Sequence, residues 1–174
     1  MPGDAGPAPE SLWRFAVAVY GRPGVAELCL DLQDRHGVDV PLLLWAAWTG
    51  AMRGHALTGA DLAAALAATT QWRRDVVAPL RAVRRRLKAG PSPLAPTHET
   101  DALRERVKAL ELEAERLQLA ALAGHPAWVR EGGDAGAALA ANLALLLPGV
   151  AALVTDRLHA AALSARPTVL ASAG

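Results

Sequence analysis

The stretch from Glu27 to Asp39 concentrates the side chains best able to do chemistry. Glu27, Asp31 and Asp34 stand at i, i+4 and i+7, so a helix there carries three carboxylates on one face. Two such carboxylates bind a hard cation such as Mg²⁺ when a second helix or a substrate phosphate completes the shell. They divide acid and base roles where burial drives their pKa values apart. The competing reading is a solvated face in which Asp31 pairs with Arg35 one turn later. No second acidic cluster of matching spacing stands elsewhere. His36, beside Gly37, either caps the last carbonyls of its helix or acts as ligand or base with Asp34 and Asp39. Gln33, Asp34, His36 and Asp39, with Asp31, thus form a candidate polar site for an enzyme or a small-ligand binder, lined by Trp45 or Trp48. The same residues equally serve to fix a turn. Cys29 lies on an apolar stripe without a basic neighbour at i±3 or i±4, which predicts a buried, inert thiol.

A second constellation is basic. Arg73, Arg74, Arg81, Arg84, Arg85, Arg86 and Lys88 are opposed locally by Asp75 alone. Arg74, Arg81, Arg85 and Lys88 recur at i, i+7, i+11 and i+14 along one helix face, a candidate interaction surface. Such a stripe tracks nucleic-acid phosphates or an anionic membrane. No aromatic residue interleaves with its C-terminal half to stack bases. A downstream helix carrying Glu99, Asp101, Glu105, Glu111, Glu113 and Glu115 offers an internal counter-charge, so a salt-bridged or solvated face is the preferred reading. Phosphate-binding, dinucleotide, zinc-protease and nucleophile-elbow motifs are absent from the sequence. His55, His98, His125 and His159 lack metal-ligand spacing. No metal or cofactor is expected.

The elements that must hold these residues are helices. Ala and Leu fill 68 of the 174 positions, and the net charge is +1. One cysteine excludes a disulfide framework, 52% apolar residues exclude a disordered chain, and balanced charge argues against a surface devoted to nucleic acid. A helix is expected from Ser11 to Gly21, and a second from Pro23 with Gly37 as its C-terminal cap. A third follows Asp39 as N-cap, with Pro41 in its first turn; its LLLWAAW run predicts burial on most sides. Thr58 and Asp61 form a capping box for a fourth. Thr70 caps a fifth, which Pro79 kinks. Residues 89–97 read as a Pro-rich surface linker. Beyond it Leu103, Val107, Leu110, Ala114, Leu117 and Ala121 repeat at spacings 4, 3, 4, 3 and 4, a coiled-coil-like seam that wants the fifth helix as antiparallel partner. Asp101–Arg104, Glu105–Lys108 and Glu113–Arg116 decorate it at i, i+3.

Residues 125–136 read as a loop, and Ala-rich helices fill residues 137–164. The uncharged run from Ala135 to Thr155 has the length of a membrane span. Asn142 and Pro148-Gly149 interrupt it and Ala dominates it, so two core helices are expected instead. Six of the seven aromatic residues precede residue 73, which places the best-specified core in the N-terminal half. The expected architecture is an all-α, compact helical bundle of about seven helices with one long coiled-coil-like helix. It forms a single domain over residues 11–164, between a disordered stretch at 1–10 and a flexible tail at 165–174. MPGDAGPAPE shows no signal or transit peptide, which implies a cytoplasmic protein.

The run LWRFAVAVYGRPGVAELCLDLQDRHGVDVPLLLWAAW, residues 12–48, resembles a proteobacterial family of small conserved-hypothetical proteins, a domain of unknown function. WRRDVVAPLRAVRRRLK, LRERVKALELEAERLQL and NLALLL extend the resemblance over most of residues 11–163; Pro41 stands where Asn or a similar residue is expected. The resemblance implies a helical cytoplasmic protein and brings no activity, cofactor or catalytic residue. The leading expectation is a non-enzymatic interaction or adaptor module that binds another protein or itself through the basic helix, the acidic helix or both. The alternatives are the polar-turn ligand site and, less favoured, nucleic-acid binding through the basic helix.

Overall fold

The computed structural model describes residues 8–90, 97–125, 127 and 132–171. Its helices are α1 (Ala8–Tyr20), α2 (Val25–His36), α3 (Val40–Arg53), α4 (Gly59–Trp72), α5 (Ala78–Ala89), α6 (His98–Ala123), α7 (Ala135–Leu146) and α8 (Ala152–Ala171), with a π-helical turn at Arg73–Val77 between α4 and α5. Because α4, the π turn and α5 follow one another without a break, the described residues form seven helical rods and no strand. The protein is an all-α bundle.

Local chemistry sets most boundaries. Gly37 ends α2 at φ 64°, and its N–H bonds the Leu32 carbonyl, the left-handed cap that glycine adopts without steric cost. The Thr58 hydroxyl accepts from the Asp61 N–H while the Asp61 carboxylate takes the Thr58 N–H, a complete capping box. Pro148 lies between α7 and α8 as expected, and no helix among the described residues is long and apolar enough to cross a membrane. Three expectations need correction. Pro23 precedes α2, whose N-cap is Gly24. Thr70 caps nothing: its hydroxyl bonds the Leu66 carbonyl inside a continuous rod. At Pro79 the missing N–H goes with a π turn just upstream, where the Ala78 N–H reaches back five residues to the Arg73 carbonyl. α8 runs on to Ala171, with Pro167 inside it.

α3 occupies the centre. Every residue from Val40 to Ala51 is buried, and the helix packs chiefly on α7, with further contacts to α6, α8 and α1. The crossing with α7 is close because Gly50 lacks a side chain: a Cβ there would stand 2.6 Å from the Leu139 Cα. Asn142, fully buried on α7, accepts from the Leu57 N–H at 2.7 Å and donates to the Ala46 and His55 carbonyls at 2.9 and 3.0 Å. It thereby fastens α7 to α3 and to the loop that follows α3. The core is not confined to the aromatic-rich half, since Leu139, Leu143, Leu158, Ala162 and Ala165 join Trp45, Phe15 and Leu12 in one cluster.

Candidate interaction surface on the α5–α6 hairpin

The α2–α3 turn is held by side chains from two other rods. Arg35 pairs with Asp31 at 2.7 Å on the α2 surface. Asp34 pairs with Arg85 of α5, both half-exposed. Asp39 stands at the N-cap of α3 but makes no capping bond. Its carboxylate instead accepts from the Gln118 amide of α6 at 2.8 Å and lies 3.7 Å from the Arg73 guanidinium. Arg73 also donates to the Gly37 carbonyl at 3.0 Å. Gln33 is partly buried, with its amide nitrogen unpartnered among the described residues, and His36 is exposed at the last position of α2. Asp34 and Asp39 are therefore stapled to different partners. Trp45 is buried and meets the His125 ring edge-on, with centroids 5.4 Å apart. Burial pushes the Cys29 thiol up to about 12, which suppresses the reactive thiolate.

Between α5 and α6 lies a partly buried ion network. Glu111, 6% exposed, accepts from Arg81 at 2.9 Å and from Arg84, whose Nε and terminal nitrogen both reach it. Glu115 accepts from Arg81 at 2.6 Å. Burial alone would raise Glu111, but the bonds from Arg84 and Arg81 outweigh it and hold its carboxyl below the ordinary range. Glu115 moves the other way: burial, reinforced by the Glu111 and Asp39 charges, raises it despite Arg81. Of the basic stripe, Arg81 lies in this network, Arg85 in the pair with Asp34, and Arg74 in a bidentate pair with its neighbour Asp75. Lys88 is exposed. The three acid–base pairs expected along α6 are present, at 4.0 Å for Asp101–Arg104, 3.6 Å for Glu105–Lys108 and 2.7 Å for Glu113–Arg116.

The seam of α6 is rotated from the expected one. Val107 and Ala114 are buried, but with Glu111, Gln118 and Leu122 rather than with the heptad leucines. Leu103, Leu110 and Leu117 are 41, 58 and 44% exposed. The rotation has a physical cause: Arg81 and Arg84 draw Glu111 and Glu115 inward, and these sit about 80–160° around the helix from the leucines. Helical register places Val83 of α5 on the same flank of the hairpin, and it too is exposed. Trp72, half-exposed, reaches across to donate its indole N–H to the Ala114 carbonyl at 3.0 Å. The hairpin thus has a charged flank turned inward and an apolar flank turned to solvent. Sequence reasoning took these leucines for core. The available signal was the placement of Glu111 and Gln118, seven residues apart beside Val107 and Ala114.

A separate shallow cavity of about 220 Å³ between α7 and α8 is lined by Ala140, Leu143, Ala144, Thr155, Asp156 and His159. The His159 Nε2 stands 3.0 Å from the Gly136 carbonyl, which occupies one ring nitrogen in tying α8 to α7. Among the described residues, no three His, Cys, Asp or Glu side chains group as metal ligands.

A model of the family described as protein of unknown function (DUF2390) matches residues 11–122, from α1 to nearly the end of α6. No curated protein and no solved structure matches the chain.

Proposed function

We propose, for a chain that belongs to the DUF2390 family of proteins of unknown function, the role of a non-enzymatic protein–protein interaction module that docks through the outer flank of the α5–α6 hairpin. The single observation behind this reading is the row of exposed leucines at 103, 110 and 117, continued by Val83 and Trp72. Contiguous apolar surface of this kind, rimmed by charge, marks interaction sites on folded proteins. The polar turn supports a structural role, because Asp34 and Asp39 spend their charge on Arg85, Arg73 and Gln118. The basic stripe likewise commits Arg81 and Arg85 within the fold, which leaves it less charge to offer a phosphate backbone.

The test compares the affinity-purified wild type with Leu110→Glu, both expressed in the native host. The variant keeps its melting temperature within about 2 °C, since an exposed substitution shifts stability by about 0.5 kcal/mol or less. It loses the polypeptides, including untagged copies of itself, that the wild type retains. Retention of the same polypeptides by the variant sinks the reading.

A further inference from the structure

The geometry points to a second copy of this chain as the occupant of that flank, packed antiparallel across a two-fold axis at Leu110; the inference rests on the docking reading above. Leu103, Leu110 and Leu117 are each seven residues apart, so they form a straight apolar row about 21 Å long at 1.5 Å rise per residue. A partner helix of matching repeat packs such a row along its length. The copies must then be compatible with their own charges, and the register about Leu110 makes them so. There Leu110 meets Leu110 of the second copy, while Leu103 meets Leu117 of the second copy, and the reverse.

The charges beside the row settle the direction. Arg106 and Glu113 flank the leucines on the side away from the body of the bundle, by the 100° step of the helix. A two-fold axis normal to an antiparallel pair keeps like flanks together. Arg106 lies four residues before Leu110 and Glu113 three residues after it. Arg106 therefore falls within about 1.5 Å, along the axis, of Glu113 of the second copy. Symmetry repeats the pair. In a parallel pair the two-fold would run along the helices and set each Arg106–Glu113 flank against the opposite flank of the second copy, which carries Val107 and Ala114, so neither charge would meet its counter-charge. Arg106 is exposed and takes part in none of the ion pairs among the described residues of α6, so its charge is available. Glu113 already accepts from Arg116, and a carboxylate accommodates a second cation on its remaining lone pairs. On the other flank of the row, Val83 of each copy adds apolar surface. Two helical hairpins thereby complete a four-helix layer, which isologous symmetry closes at a dimer.

The test reads self-association of the full chain by sedimentation equilibrium together with site-directed crosslinking. The wild type is expected to dimerise. Arg106→Glu replaces two attractions by two repulsions and weakens the dimer about tenfold or more, whereas the double variant Arg106→Glu/Glu113→Arg restores it, because the swapped charges face one another again. In oxidising buffer Leu110→Cys joins the two chains at position 110. Leu103→Cys alone does not join, and a mixture of Leu103→Cys and Leu117→Cys chains does. The native Cys29 is buried and does not compete. Crosslinking of Leu103→Cys to itself, or failure of the charge swap to rescue, overturns the antiparallel register. A dimer that survives Leu110→Glu overturns the surface. If the wild type is monomeric while Leu110→Glu strips off a foreign polypeptide, self-pairing falls and the docking reading stands. If the wild type is monomeric and Leu110→Glu changes nothing, both fall.

Discussion

Removing the Glu111 carboxylate should cost the protein a large part of its stability. Glu111 accepts three hydrogen bonds from two guanidinium groups, at 2.9 Å from Arg81 and through both Nε and a terminal nitrogen of Arg84. Breaking a buried pair by deleting one partner costs about 3–5 kcal/mol, because the remaining charge is left uncompensated. Here the arginine side chains retain 14 and 21% exposure, and Arg81 keeps Glu115. The lower end of that range, about 3 kcal/mol, is therefore expected for Glu111→Ala. Glu111→Gln, which keeps the shape and one acceptor, should cost somewhat less. Urea unfolding followed by circular dichroism reads the difference, and against a total stability of about 5–15 kcal/mol it is large. Acid provides the same perturbation without mutation. The Glu111 pKa is depressed in the fold, so its contribution is present above its unfolded value near 4.3 and is lost as pH falls through the lower folded value. Glu115 has the opposite sign: its raised folded pKa means that protonation, as pH falls toward about 4.3, relieves a cost. Glu111→Gln should thus flatten the acid limb of the stability profile, and Glu115→Gln should remove any rise that precedes it. A Glu111→Ala cost below about 1 kcal/mol, the value of a surface pair, would refute the reasoning.

Three further outcomes are expected. Asn142→Leu preserves volume but leaves the buried Leu57 N–H and His55 carbonyl without partners; at about 1–3 kcal/mol for each orphaned group, calorimetry should show a melting temperature lower by about 10 °C. The Cys29 thiol, held near 12 by burial, should resist alkylation at pH 8 and react only as denaturant opens the fold, which a labelling series against urea concentration measures. Asp34→Ala removes a half-exposed pair with Arg85 and should change unfolding free energy by less than about 1 kcal/mol; a larger loss would make the turn a structural keystone.

How much of this was legible in the sequence depended on whether a residue's role is settled by its neighbours in the chain. The Thr58–Asp61 capping box, the Gly37 cap, Pro41 in the first turn of α3 and the all-round apolar character of that helix follow from residues close to one another in the chain. So did the opposition of a basic and an acidic helix, since the composition of each segment shows it. The all-α class followed from the same local signals. Asp39 marks the other side. Its type and place suit an N-cap, yet its carboxylate goes to Gln118 and Arg73, groups 79 and 34 positions away.

Only the tertiary structure decided which face of α6 is buried. The sequence of α6 carries two overlapping periodic faces, one of heptad leucines and one through Val107, Glu111, Ala114 and Gln118. Hydrophobicity alone selects the first. The second wins because Arg81 and Arg84 arrive from α5 to compensate buried carboxylates that would otherwise be too costly to desolvate. Likewise, nothing local predicts that Asn142 is fully buried; that follows from the close crossing at Gly50, which brings three backbone groups around it. Local propensity determined where most helices begin and end, while pairing between distant charges and backbone groups determined which faces look inward and left Leu103, Leu110 and Leu117 in solvent.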